Sequence, residues 1–419
     1  MIISLIIPTR ERADYLKESV QTGLKIEDNQ FELIVSDNAS NDHTREVASS
    51  IKDPRFKYIN TGERISMRQN FEFALQHCNG DYVIYMGDDD AILPGQFQFL
   101  RQILERYQPD ALSWDRPTYG WPVQGYGKRT GSVKFLRNEL FGGVEAIDCG
   151  ESKQQLLACN LGAKGPKPAI YHGCVSRKFL NQITDANGVC FGSSIPDVYV
   201  TYQAVLNNAN ALHTSHPFSI NGYSPASTGG SQHAYDSKDP RSRPAHQFGQ
   251  ENQTDPVQDV MGYALSVPLA FFSTLETIRL KSPVEIEPPD YTAWYHYVLT
   301  SARPNDVETQ ALLLEILTQH AENTGTLSCL AEAENTTVVV TGKTRKYIQS
   351  IEKLRTLMHR KRISAEIEGN NNALTAALTY DRVIGDDYSG ILDGSRSRSL
   401  CWKATMRRSR DPRSVARAA

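Results

Sequence analysis

A chain of 419 residues has room for two or three domains at roughly 100–200 residues each. With 40% hydrophobic and 22% charged residues it can bury a sizeable core and remain soluble. A formal net charge of −3 argues against a surface that coats nucleic acid, and no nucleic-acid partner is expected.

The seven cysteines (78, 149, 159, 174, 190, 329 and 401) form no Cys-x-x-Cys pair. They read as reduced, structural thiols of a cytosolic protein, and a zinc site is not expected. The opening MIISLIIPTRER has about seven apolar residues before Pro8 and no basic segment ahead of them. A buried strand accounts for it better than a signal peptide. No later stretch reaches the roughly 18 uninterrupted apolar residues of a membrane span. A place in the cytosol, or on a membrane surface without crossing it, is the expectation.

Strand and helix then alternate over the first 115 residues. Ile2–Ile7 is a continuous apolar run, as in a strand covered on both faces, and Ala13, Leu16 and Val20 follow at helical spacing. Phe31–Ser36 leads into the polar turn Asp37-Asn38-Ala39-Ser40 and a helix carrying Val47, Ala48 and Ile51. Phe56–Asn60 precedes a helix with Met67, Phe71, Ala74 and Leu75 on one face. Asp81–Met86 runs into Gly87-Asp88-Asp89-Asp90, and Pro94 opens a helix that turns Phe97, Leu100 and Leu104 inward. This order predicts an α/β fold with a mostly parallel, doubly wound sheet. Ligands of such sheets bind beyond the carboxyl ends of the strands, where Thr9–Glu11, Asp37–Ser40 and Asp88–Asp90 fall.

Residues 116–168, rich in Gly, Lys and Arg, read as insertion loops. Ala169–Val175 is an expected strand, Pro196-Asp197 opens a helix through Leu206, and His216–Tyr223 alternates like a strand. The Gly-, Pro- and Ser-dense stretch 224–253 reads as a loop. Helical patterning follows from 255 to 334; then come a strand at Thr336–Thr341, a helix at Tyr347–Met358 and a strand at Ile363–Glu368. Val340–Thr344 imitates the end of a phosphate-binding loop, but Thr337 stands where that motif needs glycine.

Three consecutive aspartates at a strand end repel one another unless a cation offsets them. Mn²⁺ or Mg²⁺ suits such a site, held by one or two carboxylates and the oxygens of a diphosphate. The bland alternative is a solvated acidic turn, and for Asp37 an Asx turn. His216 and His233 are further candidates for a phosphate or metal contact, and Tyr171-His172-Gly173 for shaping an acceptor pocket.

Pro8-Thr9-Arg10-Glu11, Ser36-Asp37-Asn38-Ala39-Ser40, Met67-Arg68-Gln69-Asn70 and Gly87-Asp88-Asp89-Asp90 resemble, in order and spacing, the family 2 glycosyltransferases. The resemblance covers about residues 1–115 well and fades toward 225. It implies a GT-A fold, with a glycosyltransferase domain at 1–235 (nucleotide-binding half 1–115, acceptor half 116–235). A linker at 236–255, a mainly helical extension with a small α/β unit at 256–394 and a basic tail at 395–419 would follow. Pro8, Thr9 and Glu11 would border the nucleotide base, Asp37 would hold it and Arg68 would approach the nucleotide. Asp88 would serve the donor while Asp89 and Asp90 contact the metal; glycine at 87 departs from the family's commoner Leu-Asp-x-Asp-Asp. The family's base is an aspartate at a helix start about 100 residues on, which Asp197 matches, with Asp185 as fallback. The implied reaction is inverting transfer from a nucleotide-sugar donor, a UDP-sugar by default, to a glycan or lipid-linked acceptor.

A sugar-phosphate nucleotidyltransferase is the competing enzyme class, although Pro8–Glu11 lack its glycines and lysine. A non-catalytic nucleotide- or glycan-binding module is the other alternative. The C-terminal arginines 396, 398, 407, 408, 410, 413 and 417, interleaved with Leu400 and Trp402, suit peripheral contact with an anionic membrane. A solvated basic tail is the plainer reading.

Overall fold

The computed structural model describes residues 1–123, 130–162, 165–227, 243–301, 307–337 and 360–410. Gly229–His233, Thr341–Met358 and Arg413–Arg417 lie outside these residues.

The first 115 residues begin β1 (Ile3–Thr9), α1 (Ala13–Leu24), β2 (Phe31–Asp37), α2 (Thr44–Ser49), β3 (Phe56–Asn60), α3 (Met67–Gln76) and β4 (Tyr82–Tyr85). A short β5 (Ala91–Ile92), α4 (Phe97–Tyr107) and β6 (Ala111–Trp114) complete them. Side chains alternate between two cores: Ile3, Leu5 and Ile7 enter one, while Ile6, Ile34, Val83 and Tyr85 enter the other. Period-two burial on both faces is what a sheet sandwiched between helix layers requires. Ser66 starts α3 with a capping box, its hydroxyl accepting from the Gln69 amide while the Gln69 side chain accepts from the Ser66 amide.

The stretch 116–168 is more regular than expected. It holds β7 (Thr118–Gly120), β8 (Ser132–Leu136), β9 (Val144–Ala146) and α5 (Cys149–Leu157). Strands this short leave almost no periodicity to read, although Asp148, which caps α5 by accepting from the Glu151 amide at 2.8 Å, is a local signal. Then come β10 (Gly173–Ser176), α6 (Arg177–Asn187), α7 (Pro196–Leu206), β11 (Ala211–Thr214) and β12 (Ser219–Tyr223). Part of the expected loop 224–253 is helical, as α8 (Arg243–Gln253).

The main sheet has eight strands in the order β3-β2-β1-β4-β10-β6-β11-β9. β3, β2, β1 and β4 are parallel, β10 runs antiparallel to both β4 and β6, and β11 is parallel to β6. The expected α/β class with a mostly parallel sheet is therefore the observed one. Helices α9 (Val267–Lys281), α10 (Tyr291–Leu299), α11 (Val307–Thr324) and α12 (Leu327–Thr337) follow. Thr336 and Thr337 close α12 rather than opening a strand. Trp294, Leu313 and Leu317 share a core with Phe71, Tyr85 and Val200.

β13 (Arg360–Ser364), three residues earlier than the expected strand, pairs antiparallel with β8. α13 (Ala373–Ile384), α14 (Ser389–Leu392) and α15 (Arg398–Arg408) then return to the first half. Tyr380, Tyr388, Cys401 and Trp402 join the core that holds Ile3 and Leu5. Part of the basic C-terminal segment is thus a packed helix, because Cys401, Trp402 and Thr405 give α15 a buried face. Among the described residues, no helix is long and apolar enough to cross a membrane.

Candidate functional site

A cleft of about 820 Å³ opens over the carboxyl ends of β1 and β4. Pro8, Thr9, Glu11, Asp88, Asp89, Asp90 and Asp197 all line it, so the tertiary structure gathers the acidic turn, the β1 end and the start of α7. Arg12 and Asn38 face the same space, which Phe248 of α8 and Phe271 of α9 close from the far side. Arg10 stacks over Phe248 at 4.3 Å and pairs with Glu251, tying α8 to the β1 end.

The three aspartates have separate surroundings. Asp88 accepts from the Thr9 hydroxyl at 2.7 Å and from Arg12 Nη1 at 3.0 Å. Asp89 accepts from the Ser224 hydroxyl at 2.5 Å through Oδ2, and Trp121 Nε1 donates to its carbonyl at 2.8 Å. Asp90 accepts from the Gly87 amide and the Tyr171 hydroxyl, both at 2.8 Å, and from the Gly222 amide at 2.7 Å. His172 Nε2 lies 3.0 Å from its Oδ2.

Burial, followed by the charges of Asp90 and Asp88, pushes the Asp89 carboxyl up to about 7. Burial works in the same direction on Asp90, but His172, Tyr171 and the Gly222 amide outweigh it and hold that carboxyl below its ordinary range. Repulsion within the cluster thus falls on Asp89, the member whose stabilisation depends most on an added cation. Among the described residues no set of three or more His, Cys, Asp or Glu side chains is arranged to hold a metal by itself. The donor set instead fits a hard cation held by one or two carboxylates and completed by a diphosphate. Asp88, Asp89 and Asp90 all line the cleft, and the hydrogen bonds to Asp90 make it a brace for the turn.

Glycine at 87 has a steric reason. A Cβ there would lie 2.5 Å from the Tyr171 hydroxyl oxygen and 2.8 Å from Asp90 Oδ2. Gly222 is tighter still, since its Cβ would meet the Asp89 carbonyl oxygen at 1.7 Å. Both glycines let a second segment close against the acidic turn.

Two expected donor residues do not line the cleft. Asp37 is buried, accepting from the Ser40 amide at 3.0 Å, the Tyr58 hydroxyl at 2.7 Å and Asn60 Nδ2 at 2.8 Å. Its neighbour Asn38 reaches the cleft instead. Arg68 is buried under α3, where Nε donates to Asp255 Oδ2 at 2.7 Å and Nη1 to the Phe191 carbonyl at 3.2 Å. Glu11 sits at the exposed rim, accepting from the Asn41 amide at 3.0 Å and pairing with Arg64.

Asp197 lies in the first turn of α7 behind Pro196. Burial raises its carboxyl above the ordinary range, opposed by the Val198 and Asp197 amides and by Arg116. That is the direction a proton acceptor working near neutral pH needs. Asp185 is exposed on α6 and lines neither this cleft nor the cavity beside it. His216 is buried away from the cleft, stacked on Tyr388 with ring centroids 3.6 Å apart, and burial holds it neutral.

The contacts of Arg12, Tyr171, His172, Gly222 and Ser224 were not legible beforehand beyond the Tyr171-His172 pair. Arg12 adjoins the first motif, and Gly222 interrupts an alternating strand, a local sign of close backbone approach.

In an open α/β sheet ligands bind beyond the carboxyl ends of the strands, where this acidic cleft lies. Residues 4–162 match the family described as Glycosyl transferase family 2. One relative is a GalNAc(5)-diNAcBac-PP-undecaprenol beta-1,3-glucosyltransferase of Campylobacter jejuni, 30% identical over 103 residues. Another is the abequosyltransferase RfbV of Salmonella typhimurium, 32% identical over 126 residues. The matches span 24% and 29% of this chain, and only 33% and 37% of those relatives' lengths. Residues 1–349 of Staphylococcus aureus TarS, crystallised with UDP-GlcNAc, superpose loosely. The TM-score is 0.44 at 14% identity, covering 80% of this chain and 91% of that one.

Proposed function

We propose that this chain is an inverting glycosyltransferase that moves a sugar from a nucleotide-sugar donor, with UDP as the nucleotide, to a hydroxyl of a glycan or lipid-linked acceptor. The observation that carries the reading is the convergence of Thr9, Asp88, Asp89 and Asp197 on one cleft beyond the strand ends. Residues 1–235 form the transferase domain, with the donor side in 1–115 and the acceptor side in 116–235. Residues 236–255 are the linker, 256–394 the mainly helical extension and 395–419 the basic tail, which would allow peripheral contact with an anionic membrane.

In this reading Pro8, Thr9, Glu11 and Asn38 border the base and ribose, with Asp37 and Arg68 supporting from beneath. Asp88 and Asp89 would hold Mn²⁺ or Mg²⁺, with Asp90 fixing the turn that carries them. The cation, when bound, supplies Lewis-acid stabilisation of the departing diphosphate. Asp197 accepts the proton of the acceptor hydroxyl as that oxygen bonds to the anomeric carbon. The bond from this carbon to the β-phosphate oxygen breaks, and its electron pair leaves with the nucleoside diphosphate.

Thermal unfolding with a panel of nucleotide sugars, with and without Mn²⁺, tests the reading. A true donor at 100-fold its Kd adds about 2.7 kcal/mol. No shift with any nucleotide sugar would overturn it.

A further inference from the structure

Asp197 and Tyr171 line a second cavity as well as the donor cleft. This cavity holds about 330 Å³, at the small end of ligand sites (roughly 300–1,000 Å³). Arg116, just beyond β6, and Lys167, in the segment leading to β10, stand in its wall, with His213 of β11. Arg116 is exposed and Lys167 half-buried, and neither is paired with a carboxylate among the described residues. Asp115, also in the wall, is drawn to His213, whose Nε2 is 3.6 Å from Asp115 Oδ1. Thr201 is committed too, donating to the Pro168 and Asp197 carbonyls at 3.0 Å. Burial lowers the pKa of the Lys167 ammonium, the mark of a cation that gains from an anionic partner. Two cations that form no close ion pair among the described residues therefore stand in one wall with Asp197, whose carboxylate Arg116 favours at longer range.

We infer that this cavity is the acceptor subsite and that Arg116 and Lys167 bind a phosphate mono- or diester carried by the acceptor close to its attacking hydroxyl. The inference rests on the glycosyltransferase reading for the role of Asp197. It narrows the acceptor from glycans in general to phosphate-bearing ones. A guanidinium and an ammonium on one wall suit phosphate oxygens. Asp197 on the shared ridge can then take a proton from a hydroxyl that reaches from this cavity into the donor cleft.

Glycerol 3-phosphate and glycerol are suitable probes, titrated calorimetrically into the full chain with UDP and Mn²⁺ filling the donor cleft. Wild type should bind the phosphate ester and not glycerol. R116Q and K167Q should each weaken binding roughly tenfold or more, K167R should retain most of it, and UDP affinity should stay unchanged. Thermal unfolding matched to wild type verifies the fold of each variant. Equal binding of glycerol 3-phosphate by wild type and the R116Q/K167Q double variant, or equal binding of glycerol, would overturn the subsite. If wild type binds no UDP, the transferase reading fails separately. Loss of glycerol 3-phosphate binding in the double variant would still support an anion site.

Discussion

Asp89 and Asp90 are adjacent in the chain, yet their neighbours prepare them for different work. Asp90 is held by the Gly87 and Gly222 amides and by Tyr171, while Asp89, which accepts from the Ser224 hydroxyl, is pushed up to about 7 by burial and by its fellow aspartates. Asp89→Asn should therefore abolish the extra thermal stabilisation that Mn²⁺ adds to UDP, leaving the shift of UDP alone. Its kcat should fall roughly 10²–10³-fold, as on loss of a preorganised charge stabiliser. Asp197→Asn would remove the proposed proton acceptor and leave Asp88 and Asp89 in place. Its kcat should fall roughly 10²–10⁴-fold with UDP affinity unchanged, measured by steady-state kinetics beside calorimetry. A variant retaining wild-type kcat would remove Asp197 from the chemistry. The acidic turn and Asp197 were legible in the chain because each ends or begins a regular element. Tyr171, Gly222 and Ser224 were not, since they reach the turn from far along the chain and no local pattern encodes that contact.

At the scale of elements, α13 docks through a half-buried carboxylate. Asp381 accepts from the Gly95 amide at 2.8 Å and from Gln96 Nε2 at 3.2 Å, yet burial raises its carboxyl to about 7. The unfolded chain ionises this group near its ordinary value of 3.8, while the folded one keeps the proton up to about 7. Its contribution to stability is thus full below pH 4, declines between about pH 4 and 7, and stays low above that. Asp381→Asn keeps an acceptor for Gly95 without the cost of a half-buried charge. It should flatten that decline and be a few kcal/mol more stable than wild type at pH 8, read from urea midpoints. An unchanged pH profile would show that Asp381 is ionised in the folded protein. The expected helices at α1, α3 and α4 were readable from spacing because each keeps one apolar stripe, and α7 from the Pro196-Asp197 that opens it. The strands β7 and β9 were not, because three residues carry too little alternation to separate them from a loop.

For the whole molecule, the return of residues 360–410 matters most. Tyr380 stacks on Phe135 with centroids 4.4 Å apart, and Trp402 is buried in the core that includes Leu5, Leu100 and Leu112. The C-terminal helices consequently help to support the layer under the acidic cleft. Trp402→Ala should cost roughly 3–5 kcal/mol, as for other buried aromatics. In a urea titration, UDP binding and far-UV circular dichroism should be lost together at the lowered midpoint. Two separated transitions would mean that the C-terminal segment unfolds independently of the nucleotide half.

The alternation of strand and helix, the acidic turn and the first-turn aspartate follow from the order of residues alone, because burial on two faces and helix initiation are local matters. What only the tertiary structure decided is which charges have partners. It gave Arg68 to Asp255, closed Asp37 with Tyr58 and Asn60, and set Arg116 and Lys167 in one cavity wall with Asp197. A buried charge must find its counterpart wherever the fold brings one, and that counterpart can stand a hundred or more residues away.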